Sequence, residues 1–305
     1  RCNGRTEFNT VKICSIGDNN NVCMLMHFAG YTAREMKRFV VLDKKMGETP
    51  LAAIGAWKIE HLEYADTAAC YAGRLDPMAS GKLLVLLGDE CKQQRAYTGL
   101  DKEYEIEVLL DIGSYTGDVL GVAEYSSQKA DVGAQIHRDV LRSEQGAYMR
   151  AYPAFSSKTV NGKPLFLHAL EGTLSHIQVP EHIERIYRIQ HQSSYTIPAQ
   201  ELEARVSKFI ELVPRTIEPS KRLGEDFRVD AIRAHWNSLF KMMPERDFTV
   251  LRLKVVCASG VYMRSLAGRI GVSLHTKALA LSIKRTKIGK YISVWNGVGF
   301  WIQTY

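Results

Sequence analysis

The chain has 305 residues, of which 46% are hydrophobic and 24% are charged, as is ordinary for a globular protein with a large core. Its net charge of +7 suggests a polyanionic partner without requiring one. No apolar run approaches the roughly 20 residues of a membrane-spanning helix, so we expect no membrane partner.

Cysteine and histidine spacing gives no sign of a metal site. Six cysteines are scattered without a CxxC pair, and nine histidines show no zinc-type spacing. This pattern predicts reduced thiols in an intracellular protein, with no structural metal and no cofactor. The sequence begins with Arg1, so we expect that upstream residues were removed or are missing. A removed transit peptide would place the protein in the mitochondrion, with the cytoplasm as the alternative.

Residue patterns divide the chain into an N-terminal extension followed by strands and helices. Residues 1–38 contain a polar run and are interpreted as an N-terminal extension. Beyond them, apolar runs and alternating patterns predict strands at 39–43, 83–87, 104–110 and 251–256. Helical spacing predicts helices at 51–59, 199–213, 226–243 and 262–270. Strands dominate the centre, which predicts an α+β fold with a mainly antiparallel sheet, flanking helices and a helical insertion at about 198–248.

The C-terminal part of the chain is strongly basic. Residues 251–305 contain nine Lys and Arg side chains and no acidic residue. A solvated basic face and a surface for a phosphate backbone both fit this composition. Because the charges lie among core-forming residues, a loose basic tail is disfavoured.

A short loop carries the strongest local signal for chemistry. Gly73 and Gly81 bracket the pair Asp76-Pro77, directly before the predicted strand at 83–87. The residue before a proline is biased away from the α region. The Asp76 carboxylate would therefore sit on a tight loop at the edge of a core strand, where scaffolds present catalytic groups. Taken alone, an ordinary Asx turn accounts for the loop at least as well.

Three further segments permit chemistry as well as simpler roles. Arg264 follows a Gly turn; it is either a surface charge or a buried guanidinium that keeps a carboxylate partner ionised. Tyr104 either packs in a strand or stacks on a nucleobase with its hydroxyl near a proton. The segment 153–163 mixes aromatic and basic residues around an Asn-Gly turn, typical of an RNA-clamping loop or of a plain β-hairpin.

In this collinear order the segments resemble the TruB-type pseudouridine synthases, over about 39–291. The resemblance implies a catalytic domain of pseudouridine-synthase fold there, with 292–305 as a short tail in place of the full C-terminal RNA-binding domain of many members. The matching motifs are Lys44 to Pro50, Gly73 to Gly81, Gly88 to Lys92, Lys102 with Tyr104, Ser114 to Gly121, Pro153 to Lys163, and Cys257 to Leu266 followed by Gly271, Leu274, Ala278, Arg285 and Gly289 to Tyr291.

The resemblance also implies roles for individual residues. Asp76 would be the nucleophile toward a flipped-out uridine, Arg264 would pair with it, and Tyr104 would stack on the uracil and take the C5 proton. One carboxylate nucleophile and one proton acceptor suffice without a cofactor or metal. The implied substrate-binding and RNA-binding residues are Tyr71, Tyr262, Ile283, Lys44, Lys102, Lys158, Lys163 and Arg285.

The implied function is isomerisation of uridine to pseudouridine in a structured RNA. Departures from the family pattern leave both the tRNA T-loop and ribosomal RNA open as substrates. They include Tyr71 in place of a histidine and a long segment before Cys257. The main alternative is an RNA-binding ribosome assembly factor that contacts ribosomal-subunit assembly proteins. A hydrolase with an Asp nucleophile is disfavoured because no second catalytic carboxylate is evident.

Overall fold

A computed structural model describes residues 37–130, 134–213, 229–295 and 298–305. Most of the predicted extension at 1–38, and residues 226–228 of one predicted helix, lie outside these ranges. The strands are β1 (Phe39–Lys44), β2 (Ala69–Ala72), β3 (Ala79–Leu87), β4 (Asp101–Leu110), β5 (Ile112–Ser114), β6 (Ala123–Tyr125), β7 (Gly146–Ala151), β8 (Thr159–Val160), β9 (Lys163–Pro164), β10 (Glu181–Pro198), β11 (Asp247–Cys257), β12 (Ala278–Trp295) and β13 (Val298–Thr304). The helices are α1 (Pro50–Glu60), α2 (Gln94–Thr98), α3 (Ala134–Ser143), α4 (Leu165–Leu170), α5 (Ala199–Glu211), α6 (Val229–Met242) and α7 (Met263–Ser273).

The main sheet has nine strands within the described residues, in the order β1-β3-β12-β4-β11-β10-β7. β2 pairs with β3, and β13 pairs with β12. The contact between β3 and β12 is parallel, and the other neighbours in this sheet run antiparallel. The predicted α+β class with a mainly antiparallel sheet and flanking helices is therefore confirmed.

β3 is buried on both faces, which explains the unbroken apolar run at 83–87. One set of its side chains packs against Trp57 of α1, and the alternate set packs against Ile288 of β12. The first set is Leu83, Val85 and Leu87, and the second is Leu84 and Leu86. A strand that is covered on both sides needs no polar alternation. The loop that precedes β3 is therefore attached to one of the most deeply packed elements of the fold.

The largest core lies where β4 and β11 meet the helices. Ile106 of β4, Leu253 of β11 and Leu266 of α7 share this core with the buried faces of α5 and α6. Two of the predicted helices are thus present as α5 and, over its described part, α6. Both pack into the core that also supports α7.

The opposite face of β4 carries a ladder of ion pairs. They are Lys287–Glu103 (3.2 Å), Lys254–Glu105 (3.5 Å) and Arg252–Glu107 (3.1 Å). Three other basic residues of the C-terminal segment, Arg264, Arg269 and Lys277, also pair with carboxylates. Six of the nine basic residues thus have a carboxylate partner on another element, and a phosphate-backbone surface on this segment stays a prediction.

Residues 292–305, predicted as a tail, continue the sheet. β12 extends beyond residue 291, and β13 returns along it with Ile292 opposite Phe300 and Gly289 opposite Thr304. The predicted Asn-Gly turn joins β8 to β9, with φ of 51° at Asn161 and 78° at Gly162. In the described ranges no helix is long and apolar enough to cross a membrane.

Gly81 is a point of close backbone approach, and we expect Gly81→Ala to be strongly destabilising. Gly81 has φ of +97°, and an added Cβ would lie 2.2 Å from the carbonyl oxygen of Arg285. The parallel contact of β3 with β12 would have to open, costing about 3 kcal/mol in the free energy of unfolding. Urea denaturation measures this loss.

Gly55→Ala is the matched control. Gly55 lies in α1, and no atom other than its own local backbone lies within 4 Å of an added Cβ. We expect this variant to be stabilised by about 0.5–1 kcal/mol through helix propensity. Equal stability of the two variants would contradict the close-approach argument for Gly81.

Candidate active site

A cavity of about 350 Å³ opens beside the loop at 73–81. Its walls come from six parts of the chain: this loop, Thr98 at the end of α2, the start of β4, the segment 152–158, residues 258–264 at the start of α7, and Ile283 and Arg285 of β12. Asp76, Tyr104 and Arg264 all line it, so the structure brings together the three residues predicted to be catalytic.

Lys44 anchors the loop from below. Its Nζ donates to the carbonyl oxygens of Ala79 (2.6 Å) and Lys45 (2.9 Å), with Pro77 O at 3.5 Å. The side chain is only 1% exposed, and burial lowers its pKa to about 8. A phosphate contact is therefore the wrong prediction for Lys44, because its ammonium group is buried and occupied by backbone.

Arg285 anchors the same loop from β12. Its Nε donates to Lys82 O (2.7 Å), and Nη2 donates to Gly73 O (3.1 Å). Nη1 lies 3.5 Å from Arg74 O. Arg285 is 1% exposed and also lines the cavity, so its predicted contact with the RNA substrate stays a prediction. Two buried cations thus hold the backbone on either side of Asp76.

Arg264 joins the loop to α7. Its Nε donates to Asp76 Oδ2 (2.8 Å), Nη1 to Thr116 O (2.6 Å) and Nη2 to Phe155 O (3.0 Å). Burial alone would lower the pKa of Arg264, but the charges of Asp76 and Asp118 outweigh it and raise that pKa. The Asp76 side chain remains 38% exposed beside a nearly buried guanidinium. The carboxylate is thus fixed by one partner and still open to the cavity.

Asp118 is a second carboxylate beside Arg264. It lies in the 114–121 motif, but no role was predicted for it. Its Oδ2 lies 3.6 Å from Arg264 Nε. Its Oδ1 accepts from Thr116 Oγ1 (2.6 Å) and from the Leu120 amide (3.0 Å). Burial raises the pKa of Asp118, and Arg264 opposes that rise. The signal available in the sequence was the Thr-Gly-Asp order within the 114–121 turn.

Tyr104 and Lys102 come from the start of β4. Tyr104 is 8% exposed, and burial raises its pKa, so its hydroxyl group is protonated near neutral pH. Lys102 Nζ donates to Thr98 O (2.8 Å) and to Leu100 O. Burial lowers the pKa of Lys102 to about 8. Its ammonium group fixes the turn before β4, and Lys102 also lines the cavity, so its predicted role in binding the substrate stays a prediction.

A cluster of three aromatic rings contributes Tyr152 and Tyr262 to the cavity lining. The rings of Tyr152 and His182 are stacked at 4.0 Å, and Tyr262 meets both edge-on at 6.3 Å and 6.2 Å. His182 Nε2 lies 3.0 Å from Gly260 O, and burial raises the pKa of Tyr262. Tyr262 was predicted, as was Ile283 on the neighbouring wall. Tyr152 and His182 were missed because their proximity arises only from the pairing of β7 with β10.

The remaining predicted RNA-binding residues lie in different places. Lys158 is exposed at the cavity rim, with Nζ 5.2 Å from the centre of the Tyr152 ring. Lys163 pairs with Glu171 away from the cavity lining. Tyr71 lies on β2, half-buried against the cluster between α1 and β3 and outside the cavity lining, so its predicted contact with RNA stays a prediction. No metal-binding group of three His, Cys, Asp or Glu side chains occurs among the described residues.

We expect Lys44→Met to destabilise the protein, because two buried carbonyl groups would lose their donor. The loss should be about 2 kcal/mol in the free energy of unfolding. Because the folded-state pKa is about 8 against an ordinary 10.5, the unfolded chain binds more protons between these values. The stability contribution of Lys44 should therefore rise with pH across that window.

Chemical denaturation at pH 7 and pH 10 measures both effects, with Lys45→Met as the matched control. The neighbouring Lys45 side chain is exposed, so that variant should keep wild-type stability and pH dependence. A Lys44→Met variant as stable as Lys45→Met would refute the anchoring role.

Comparison with known proteins supports a family assignment. Residues 63–209 match the family model described as TruB family pseudouridylate synthase, N terminal domain. The tRNA pseudouridine synthase B of Bifidobacterium longum strain DJO10A is 25% identical over 262 residues, which cover 83% of this chain and 63% of that protein. The protein of that name from Borreliella burgdorferi strain ZS7 is 25% identical over 260 residues, 83% of this chain and 70% of the relative.

Among solved structures, one similar chain belongs to the crystal structure of a Cbf5-Nop10-Gar1 complex, with a TM-score of 0.48 and 19% identity over 82% of this chain and 48% of the other. The match to the Bifidobacterium relative spans 63% of the length of that protein. Residues 63–209, which contain Asp76, Tyr104 and Asp118, are thus similar to the N-terminal domain of the TruB family of pseudouridylate synthases.

Proposed function

We propose that the protein isomerises uridine to pseudouridine in a structured RNA, with Asp76 as the nucleophile. The observation that carries this proposal is the Asp76–Arg264 ion pair at the mouth of a cavity lined by Tyr104. In the reaction the N1–C1′ bond breaks, the uracil turns, and a C5–C1′ bond forms. C5 loses one proton and N1 gains one, so the reaction needs no oxidant or reductant.

The geometry suits a carboxylate nucleophile for two reasons. Arg264 binds one oxygen of the Asp76 carboxylate and restricts its rotation, so less entropy is lost when the sugar or base approaches. The loop is also rigid, because Lys44 and Arg285 bind its backbone on both sides. A uridine within folded RNA must leave its base stack to reach such a cavity.

Tyr104 is proposed to stack on the uracil and to accept the C5 proton. Its ring is held in β4 and faces the cavity, which suits stacking. Its raised pKa means that the hydroxyl group must lose its own proton before it accepts another. Proton transfer and stacking are therefore separable by removing the hydroxyl alone.

The RNA substrate is proposed from the relatives and from the cavity rim. The relatives carry the name tRNA pseudouridine synthase B, which favours tRNA over ribosomal RNA as the first substrate to test. Lys158 is exposed at the rim and is the best placed of the predicted lysines for a phosphate. A role on ribosomal particles and a mitochondrial location remain predictions from the sequence.

We expect Asp76→Asn to abolish pseudouridine formation while RNA affinity stays within about three-fold, because the amide keeps the shape and loses nucleophilicity. Wild type and variant would be assayed on a tRNA T-stem-loop and on ribosomal RNA, with binding measured in parallel. Asp66→Asn, at an exposed position, should keep full activity. Turnover by Asp76→Asn would refute the proposal, and no product from wild type with intact binding would favour an RNA-binding assembly role.

We expect Tyr104→Phe to leave RNA affinity unchanged and to lower the single-turnover rate by about 100-fold, since general acid–base catalysis contributes on this order. The phenylalanine ring keeps the stacking surface and lacks only the hydroxyl group. Tyr104→Leu serves as the comparison, because it removes the ring as well and should weaken RNA binding. A Tyr104→Phe rate equal to wild type would restrict Tyr104 to stacking.

A further inference from the structure

We propose that the helical pair α5–α6 positions the active-site arginine, through a hydrogen bond from Trp236 to the turn at 114–121. The kinetic part of this inference rests on the proposed function. Trp236 would act as a positioning residue, because it contacts neither the cavity nor any group placed in it.

Trp236 lies at the centre of the contact between α6 and the rest of the fold. It is 1% exposed, and its ring stacks on that of Phe240 one helical turn later, at 5.5 Å. Its indole Nε1 donates to Val119 O at 3.1 Å. Val119 itself is fully buried, so no solvent replaces this donor if it is removed.

The turn that receives this bond also binds Arg264. Thr116 O accepts from Arg264 Nη1 at 2.6 Å, and Asp118 Oδ2 lies 3.6 Å from Nε. At Gly117 an added Cβ would lie 3.0 Å from Arg264 O, so turn and helix backbones nearly touch. The turn is thus held between Arg264 on one side and Trp236 on the other.

A second contact, from the Ala280 amide to Gly117 O at 2.9 Å, ties the turn to β12. That bond fixes the middle of the turn. The part of the turn that follows Asp118 is held by the bond from Trp236 to Val119 O. Loss of the indole donor would leave a buried carbonyl group unpaired. The turn would then shift, and Asp118, Arg264 and Asp76 would shift with it, because each is bonded to the next.

The helical pair is itself fixed to the sheet. Arg205 of α5 pairs with Glu107 of β4, and Arg246, just after α6, pairs with Asp111 at 2.9 Å. These bonds attach the helices at two points besides Trp236. Because these contacts fix the helical pair to the sheet, Trp236 can hold the turn at 114–121 in place. An RNA-binding arm that moves freely could not do so.

The first test compares Trp236→Phe with Phe240→Leu in steady-state pseudouridine formation. Trp236→Phe keeps a ring in the core and removes the N–H donor, so kcat should fall about ten-fold while KM for the RNA is unchanged. Phe240→Leu changes the same core without touching the turn, so kcat should stay near wild type. In an Asp118→Asn background, Trp236→Phe should cause no further fall, because the route to Arg264 is already broken.

Amide hydrogen exchange of Leu120 and Gly121 gives a readout that does not depend on catalysis. Both amides donate to Asp118 within the turn, and their exchange should be about ten-fold faster in Trp236→Phe than in Phe240→Leu. Unchanged exchange, or an equal kcat loss in Phe240→Leu, would overturn the inference. Faster exchange in a protein whose wild type makes no pseudouridine would instead refute the proposed function and retain the coupling.

Discussion

The site depends on one buried guanidinium group. Arg264 is held by two carboxylates and two backbone carbonyl groups, and each of its three nitrogens donates a hydrogen bond within the protein. Breaking a buried pair of this kind is costly, because the remaining charge has no partner. The loop of Asp76, the turn of Asp118 and the segment of Phe155 are therefore fixed relative to one another through a single side chain of α7.

The cations around Asp76 serve the backbone more than they serve a ligand. Lys44, Lys102 and Arg285 are all buried and donate to carbonyl oxygens. Arg285 also lowers the pKa of both lysines, after the larger effect of burial. Their positive potential also reaches the cavity, which Lys102 and Arg285 line, and there it favours an anionic ligand. These basic residues thus fix the backbone around Asp76 and also make the electrostatic potential of the cavity positive.

The sequence allowed much of this site to be predicted, because Asp76, Tyr104 and Arg264 stand in short motifs with local geometry. Lys44 and Arg285 stand in the same motifs but have other roles, since a motif records residue type and not burial. Asp118, Tyr152 and Trp236 were not named, because their contacts join segments far apart in the chain. The apolar runs of the strands were easier to interpret, since burial on both faces leaves a direct composition signal.

The order in which the chain is made has a consequence for the loop of Asp76. Arg264 lies 188 residues after Asp76, and Arg285 lies 212 residues after Gly73. During synthesis the loop and β3 emerge long before either anchor exists, since translation adds residues at about 5–20 per second. Lys44 precedes the loop and is already present, but Arg264 and Arg285 are not. A chain that ends before β12 therefore lacks two of the three cations that fix the loop of the proposed nucleophile.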